Sequence, residues 1–274
     1  MPTASLQTLA PQFFFSLPGN IWKVRVDPVT GNLVLEVRQP QKLQAFFSVA
    51  DPEAGTMLQP EIRIGEPWWT GLEDVCNGFL LVHGYEKNSQ TGRHTGLTAI
   101  SEESGKVAWQ HLELTFKGLL AAEKLVAENL LGQLQEVKLT TGAIKPFAGT
   151  AAEAKARTRE FELQRMEAFR FPVPYLPADQ HFTLLREFIK EKTGYLAEET
   201  IEYLENEKGI FLSFYARNSS VMANFLLVCS LSGQVLLQVC LESKVTGLGT
   251  DTFFIFAEKL FFIQEKSGLA GYLL

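Results

Sequence analysis

Residues 101–109 read Ser101-Glu-Glu-Ser-Gly105-Lys-Val-Ala-Trp109, a short polar turn that ends in glycine and leads into an apolar strand. Glycine at the end of such a turn supplies the positive φ that other residues resist. Two strand-like runs rich in Val, Leu and Tyr precede this turn, and the same order recurs along the chain. The other turns end at Gly55, Gly142, Gly233 and Gly268.

The runs before these five turns are predicted to be strands. They are Leu33–Arg38, Leu43–Ala50, Phe79–Tyr85, Gly96–Ile100, Lys124–Glu128, Gly132–Lys138, Ile210–Ala216, Ala223–Cys229, Thr252–Ala257 and Leu260–Gln264. The turn glycines are separated by 50, 37, 91 and 35 residues. Four short strands in a period of roughly 40 residues are typical of a β-propeller blade. We therefore predict an all-β fold, with residues 1–274 forming a single small β-propeller of about five blades.

Two resemblances support this fold. Gly105–Gln110 resembles the turn and outer strand of quinoprotein (PQQ-type) propeller repeats, and Thr30–Asn32 and Thr141–Ala143 share the Thr-Gly turn without the Trp. The chain as a whole is similar to an uncharacterised bacterial domain-of-unknown-function family with propeller-like repeats, on the stretches Ile201–Glu205 and Thr252–Ile255. These resemblances imply a propeller and no activity. A quinone cofactor needs a larger ring, a stacking Trp and calcium-binding carboxylates, and none of these can be assigned, so we predict no cofactor.

The strand Ile21–Val26 follows Gly19-Asn20 as an outer strand would, but no inner strands precede it. We predict that it completes the sheet whose inner strands lie near the C-terminus, because closure removes exposed sheet edges.

The interval of 91 residues contains one period and a helical insertion, placed at about 149–208 before the fourth blade. Within it, Glu160–Phe171 is compatible with a helix or a strand, and we favour an outer strand of the third blade. A helix over 180–193 is predicted from apolar residues at helical spacing, with Asp179 as its N-cap. A second short helix is predicted at Glu198–Glu207. The apolar face of the first helix, expected to pack on the propeller, contains Phe182, Leu185, Phe188 and Ile189.

The net charge and the cysteine spacing disfavour several classes of function. A net charge of −6 and a pI near 5.4 disfavour binding to nucleic acid or to an anionic membrane surface. Three cysteines without a CxxC spacing indicate reduced thiols, a cytoplasmic location and no metal site. The uncharged stretch Asn218–Leu241 is interpreted as two strands joined by a turn rather than as a membrane span.

Five residues are candidates for a binding site. Trp68-Trp69 follows Pro67, and adjacent Trp residues in a strand point to opposite faces, so that one is available to a ligand or partner. His83 and Tyr85, with His94 nearby, could bind a metal or move protons, and Trp109 follows the next turn. The alternatives are packing between blades for Trp68-Trp69 and local hydrogen bonding for His83 and Tyr85. The carboxylates of Glu102-Glu103 and of the run Glu198–Glu205 are interpreted as solvated.

The motifs of Walker loops, HExxH metalloproteases and GxSxG hydrolases are absent from the sequence. We therefore predict a non-enzymatic cytoplasmic binding or scaffold module, with an unknown protein or small molecule as partner. The alternative is a hydrolase or lyase with a carboxylate/His site at the propeller channel. Fold alone does not decide between them.

Overall fold

The computed structural model describes residues 9–86, 92–218 and 220–274, which form five antiparallel β-sheets and two α-helices. The predicted all-β class is confirmed. The chain divides into two compact units: one is Leu17–Glu167, and the other combines Ala168–Leu274 with the residues before Leu17. The first strand, β1 (Pro11–Ser16), belongs to the second of these units.

The unit Leu17–Glu167 contains three four-stranded sheets, each built from consecutive strands. The first sheet contains β2 (Asn20–Val26), β3 (Leu33–Gln39), β4 (Gln44–Asp51) and β5 (Thr56–Ile62). The second contains β6 (Thr70–Cys76), β7 (Phe79–Tyr85), β8 (His94–Ser101) and β9 (Val107–His111). The third contains β10 (Thr115–Ala121), β11 (Lys124–Glu128), β12 (Leu134–Lys138) and β13 (Ile144–Pro146).

The middle strands of these sheets form the core. Every residue of β3 is buried, whereas exposed and partly buried residues alternate along the edge strand β5. A central strand is covered on both faces, whereas an edge strand can keep one face in solvent. The different burial of β3 and β5 therefore follows from their central and edge positions in the sheet.

The helix α1 (Ala151–Met166) follows the third sheet, so the predicted strand at Glu160–Phe171 is wrong over most of its length. Thr150 and Glu153 form a capping box, which satisfies backbone N–H groups at the start of the helix. Only Ala154 of the helix is buried. The helix therefore carries almost no apolar periodicity that sequence analysis could detect.

A charged contact holds the end of α1 on the second sheet. The guanidinium of Arg165 donates to both carboxylate oxygens of Asp74, each at 2.8 Å, and to the carbonyl oxygen of Val75 at 3.2 Å. Bidentate pairs of this kind are geometrically specific. Phe161 packs beside it against the core between the second and third sheets.

The second unit contains two five-stranded sheets and one helix. Its elements are β14 (Phe169–Arg170), β15 (Val173–Tyr175), α2 (Phe182–Thr193), β16 (Ala197–Asn206), β17 (Gly209–Asn218), β18 (Val221–Cys229), β19 (Val235–Glu242), β20 (Phe253–Phe256), β21 (Lys259–Gln264) and β22 (Gly268–Leu273). One sheet has the order β15-β16-β17-β18-β19, and the other has the order β1-β22-β21-β20-β14.

The edge of the C-terminal sheet is covered by a different strand from the predicted one. Ile21–Val26 pairs with β3 in the first sheet, so its predicted place is wrong. Instead, β1 pairs antiparallel with β22, for example Phe15 with Leu269. The short run of three phenylalanines in β1 forms a strand by pairing with β22. Because this partner lies at the far end of the sequence, the pairing is not visible in the local sequence.

The insertion contains one predicted helix and not the other. The helix predicted over 180–193 is present as α2, but Asp179 does not cap it: its carboxylate accepts a hydrogen bond from the N–H of Leu176 instead. Glu198–Glu207 is not helical, since it forms most of β16. Isoleucine, tyrosine and threonine in this run favour a strand, and β17 supplies a partner along its length.

Four of the five turn glycines adopt the predicted positive φ: Gly55, Gly105, Gly142 and Gly233. At the last turn Glu265 and Lys266 take the left-handed conformation instead, at φ of 48° and 63°. Gly268 is required for another reason. A Cβ there would lie 2.5 Å from the ring of Phe14 in β1.

The uncharged stretch Asn218–Leu241 forms most of the hairpin β18–β19, as predicted. In the described part of the chain, neither helix is long and apolar enough to cross a lipid bilayer.

Replacing Ile189 of α2 by alanine is expected to lower the free energy of unfolding by about 2–5 kcal/mol. Its side chain is fully buried in the core that α2 shares with β16–β18. Leu184 of the same helix is 69% exposed, so Leu184→Ala is the matched control and should change stability by less than about 1 kcal/mol. Urea denaturation measures both. Equal effects of the two substitutions would contradict the packing of α2 on this sheet.

Candidate functional site

Strands β6, β7 and β8 bring one carboxylate and two imidazoles together. His83 lies in β7, and His94 is the first residue of β8. Glu73 of β6 joins them because a β-bulge between Leu72 and Asp74 leaves it without a partner on β7. Bulges re-aim side chains in this way and are frequent next to functional sites. Glu73 is not among the residues predicted from the sequence, because the bulge leaves no pattern in it.

The two imidazole rings stack on each other beside the carboxylate. The ring centroids of His83 and His94 are 3.5 Å apart, and the ring planes differ by 10°. Nδ1 of His94 lies 2.7 Å from Oε1 of Glu73, and Nδ1 of His83 lies 3.1 Å from the same oxygen. Neither ring nitrogen of His83 has a well-aligned hydrogen-bond partner among the described residues.

The buried position of His83 depends on the residue opposite it. Gly71 of β6 pairs with His83 across the ladder. A Cβ at Gly71 would lie 2.7 Å from both Cε1 and Nε2 of the imidazole. Only glycine leaves room for the ring, which is 3% exposed.

Burial and the contacts between Glu73, His83 and His94 shift the pKa values of Glu73 and His83. Burial lowers the pKa of His83, and the adjacent carboxylate of Glu73 opposes this shift only in part. Burial acts to raise the pKa of Glu73, but the interactions with His83 and His94 outweigh it, so this pKa is lowered. Glu73 is therefore a carboxylate, and His83 a neutral imidazole, at neutral pH.

A cleft of about 270 Å³ lies beside His83. Trp69, His83 and Tyr85 line it, together with Thr98 and Gln110. The Tyr85 ring meets the His83 ring edge-on at 4.8 Å and the Trp69 ring at 6.1 Å. Trp69 is 59% exposed. Three of the five predicted site residues thus share one aromatic-walled cleft.

Trp68 has a different environment from Trp69. Both residues precede β6 and are not part of a strand, contrary to the prediction. Trp68 stacks on the guanidinium of Arg38, 4.9 Å from the ring centroid, and its carbonyl oxygen accepts a hydrogen bond from that group. Arg38 is buried and pairs with the buried Glu36 at 2.7 Å. Trp68 therefore covers a buried ion pair, while its neighbour faces the cleft.

Trp109 does not line the cleft. Its ring is 8% exposed, and its indole N–H donates to the carbonyl oxygen of Leu139 at 2.5 Å. The ring also covers Gly142 in the turn between β12 and β13. Trp109 packs the second sheet against the third, so it is not part of the cleft surface predicted for it.

A second group of carboxylates lies in the turns of the first and second sheets. Glu102 is 2% exposed, so the interpretation of this residue as solvated is wrong. Its Oε2 accepts hydrogen bonds from the Thr30 hydroxyl and the Asn32 amide. Burial, followed by the negative charge of Asp27, raises the pKa of Glu102 to about 7.

Glu202, in the run Glu198–Glu205, is also buried. Its carboxylate accepts a hydrogen bond from the backbone N–H of Thr252.

Residues 26–109 match a family described as a domain of unknown function, DUF4905. No curated protein sequence matches the chain. The matched segment contains the Glu73–His83–His94 cluster and the cleft residues Trp69, His83 and Tyr85, whereas Gln110 of the cleft lies just beyond it.

Three solved structures are similar to the chain at low identity. The β-propeller domain of the Trilobed protease from Pyrococcus furiosus is 11% identical, covers 92% of this chain and 79% of its own, and has a TM-score of 0.36. The β-propeller domain of Cps50 (Swd1) from Myceliophteria thermophila is 10% identical over 97% of this chain and 99% of its own, with a TM-score of 0.39. The N-terminal domain of Nup159 is 10% identical over 97% of this chain and 98% of its own, with a TM-score of 0.33.

The substitution Glu102→Gln is expected to stabilise the protein above pH 7 and to have little effect near pH 4.5. The pKa of Glu102 is raised from 4.5 to about 7, so the folded state keeps a proton that the unfolded state has released. Stability is then lost as pH rises from about 4.5 to about 7, by up to about 3 kcal/mol. Urea denaturation at a series of pH values measures this loss. The exposed neighbour gives the control, Glu103→Gln, and the same pH dependence in both variants would refute the assignment.

Proposed function

We propose that this protein is a β-propeller of about five blades that works as a non-enzymatic binding module. The five antiparallel sheets of four or five strands support the blade number. The helices α1 and α2, within an insertion at about 149–208, would precede the fourth blade. The resemblance of Gly105–Gln110 to a quinoprotein-type repeat suggests that its blades are of this kind. Cys76 and Cys229 are buried free thiols, in keeping with the proposed cytoplasmic location.

The single observation that carries the binding role is the exposed Trp69 at the mouth of an aromatic cleft. This indole faces a space of about 270 Å³ with Tyr85 and His83 on its walls. Aromatic side chains stack on flat or ring-shaped groups of a ligand. Hydroxyl and amide groups of the protein then orient the ligand by hydrogen bonds. Thr98 and Gln110 supply such polar groups.

The size of the cleft limits its occupant. A volume of about 270 Å³ lies at the lower end of the range for small-molecule sites. It fits one ring or one side chain, so the partner is a small molecule or a protein that inserts a single residue. Neither a nucleic acid nor a membrane is proposed as partner.

A hydrolase or lyase is the second candidate, and the convergence of Glu73, His83 and His94 favours it. A general acid or base works best with a pKa near the operating pH. The pKa values of both Glu73 and His83 are lowered, which makes the carboxylate a weaker base. The binding role is therefore preferred.

Replacing Trp69 by alanine is expected to abolish ligand retention without unfolding the protein, because an exposed side chain contributes little to stability. The measurement is affinity capture from cells of the source organism, with mass spectrometry of both proteins and small molecules. Leu130, 81% exposed on another sheet, provides the control Leu130→Ala. At least one species should be retained by the parent and by Leu130→Ala and lost with Trp69→Ala. If all three proteins retain the same set, the cleft is not the binding site.

A further inference from the structure

The cluster of Glu73, His83 and His94 has a chemistry that the proposed binding role does not use. Its members come from three adjacent strands, and one potential ligand atom of each lies within 4.8 Å of the others. Two imidazole nitrogens and a carboxylate are a donor set with which proteins bind Zn²⁺. We propose that this cluster binds a divalent transition-metal ion, with Zn²⁺ as the preferred ion.

The donor atoms already lie at nearly ligand spacing. Nδ1 of His94 and Nδ1 of His83 lie 2.7 Å and 3.1 Å from Oε1 of Glu73. Ligands of a tetrahedral zinc ion, each about 2.1 Å from the metal, are about 3.4 Å apart. The two rings stack nearly parallel, 3.5 Å apart, whereas an imidazole binds a metal along the lone pair in its own ring plane. Binding therefore requires the partly exposed His94 ring to rotate out of the stack and the Glu73 carboxylate to withdraw.

His83 gives an independent reason for a ligand at this place. It is 3% exposed, and its Nδ1 faces Oε1 of Glu73 at 3.1 Å without the alignment of a good hydrogen bond. Buried polar groups are nearly always well satisfied, and an exception calls for an explanation. A metal ion held between Nδ1 and the Glu73 carboxylate replaces this poorly aligned contact, and Nε2 then carries the ring proton. Gly71 keeps the ring in place, since any larger residue would displace it.

The site is open to solvent on one side. The side chain of His94 is 42% exposed, whereas that of Glu73 is 13% exposed. An ion can therefore enter past His94 and keep water as a fourth ligand, as zinc does in sites with three protein ligands. Mg²⁺ and Ca²⁺ prefer oxygen ligands, so this donor set should discriminate against them.

The test is a titration of the full-length protein, stripped of metal by chelation, with ZnCl₂ or MgCl₂ under calorimetry. We expect one zinc ion per chain at the cluster, no binding of Mg²⁺, and a higher melting temperature with zinc. The absence of zinc binding at micromolar concentrations would overturn the proposal. This readout is independent of ligand capture by the cleft, so the metal site and the proposed function can fail separately.

The decisive variant is His94→Ala, because a partly exposed residue at the start of a strand can be removed without unfolding the protein. Its control is His181→Ala, which removes an exposed imidazole far along the sequence, at the start of α2. We expect His94→Ala to weaken zinc binding by more than about tenfold, since even loss of an outer-shell partner costs that much. His181→Ala should leave it unchanged. If His94→Ala binds zinc as the parent does, the ion lies elsewhere and the proposal is wrong.

Discussion

The pairing of β1 with β22 is the contact on which the C-terminal sheet depends. Most other neighbouring strands are consecutive in sequence, and their hairpins close over short loops. Here Pro11 pairs with Tyr272 and Ser16 with Gly268, so the entropy of closing a very long loop opposes the pairing. Apolar burial offsets this cost, because Phe13 is 6% exposed and its ring covers Gly271. Without β1 the strand β22 would present an open edge.

A second constraint acts in the other unit, where buried charges must find partners. Arg38 satisfies its guanidinium through Glu36 and through carbonyl oxygens of Trp68 and Thr70. An unpaired charge in such a place would be strongly unfavourable. This pairing fixes the segment just before β6 and so positions Trp69 at the cleft. The stability of the sheet and the shape of the site thus rest on the same contacts.

Strands that form within local hairpins could be predicted from the sequence. Phe79–Tyr85 and Lys124–Glu128 are strands with the predicted bounds, because alternation and glycine turns act within a hairpin. The strand β1 could not be predicted because its partner is distant in sequence. The helix α1 could not be predicted because it buries only one residue.

The candidate site was predictable in part. Trp69, His83 and Tyr85 could be selected because aromatic and imidazole side chains on neighbouring runs stand out in the sequence. Glu73 could not, since a bulge in β6 decides its direction. Burial of Glu102 depends on Asn32, which belongs to another turn in the sequence. In each case the missing information is a contact between residues that are distant in sequence or a local irregularity of the ladder.

Hydrogen exchange distinguishes a C-terminal sheet that is completed by β1 from one that ends at β22. Amides in buried, paired strands exchange only through unfolding, whereas those in unpaired segments exchange rapidly. We expect the amides of Pro11–Ser16 that are directed at β22, and those of Gly268–Leu273, to be protected as strongly as β21. Rapid exchange of Pro11–Ser16 alongside a protected β21 would contradict the pairing.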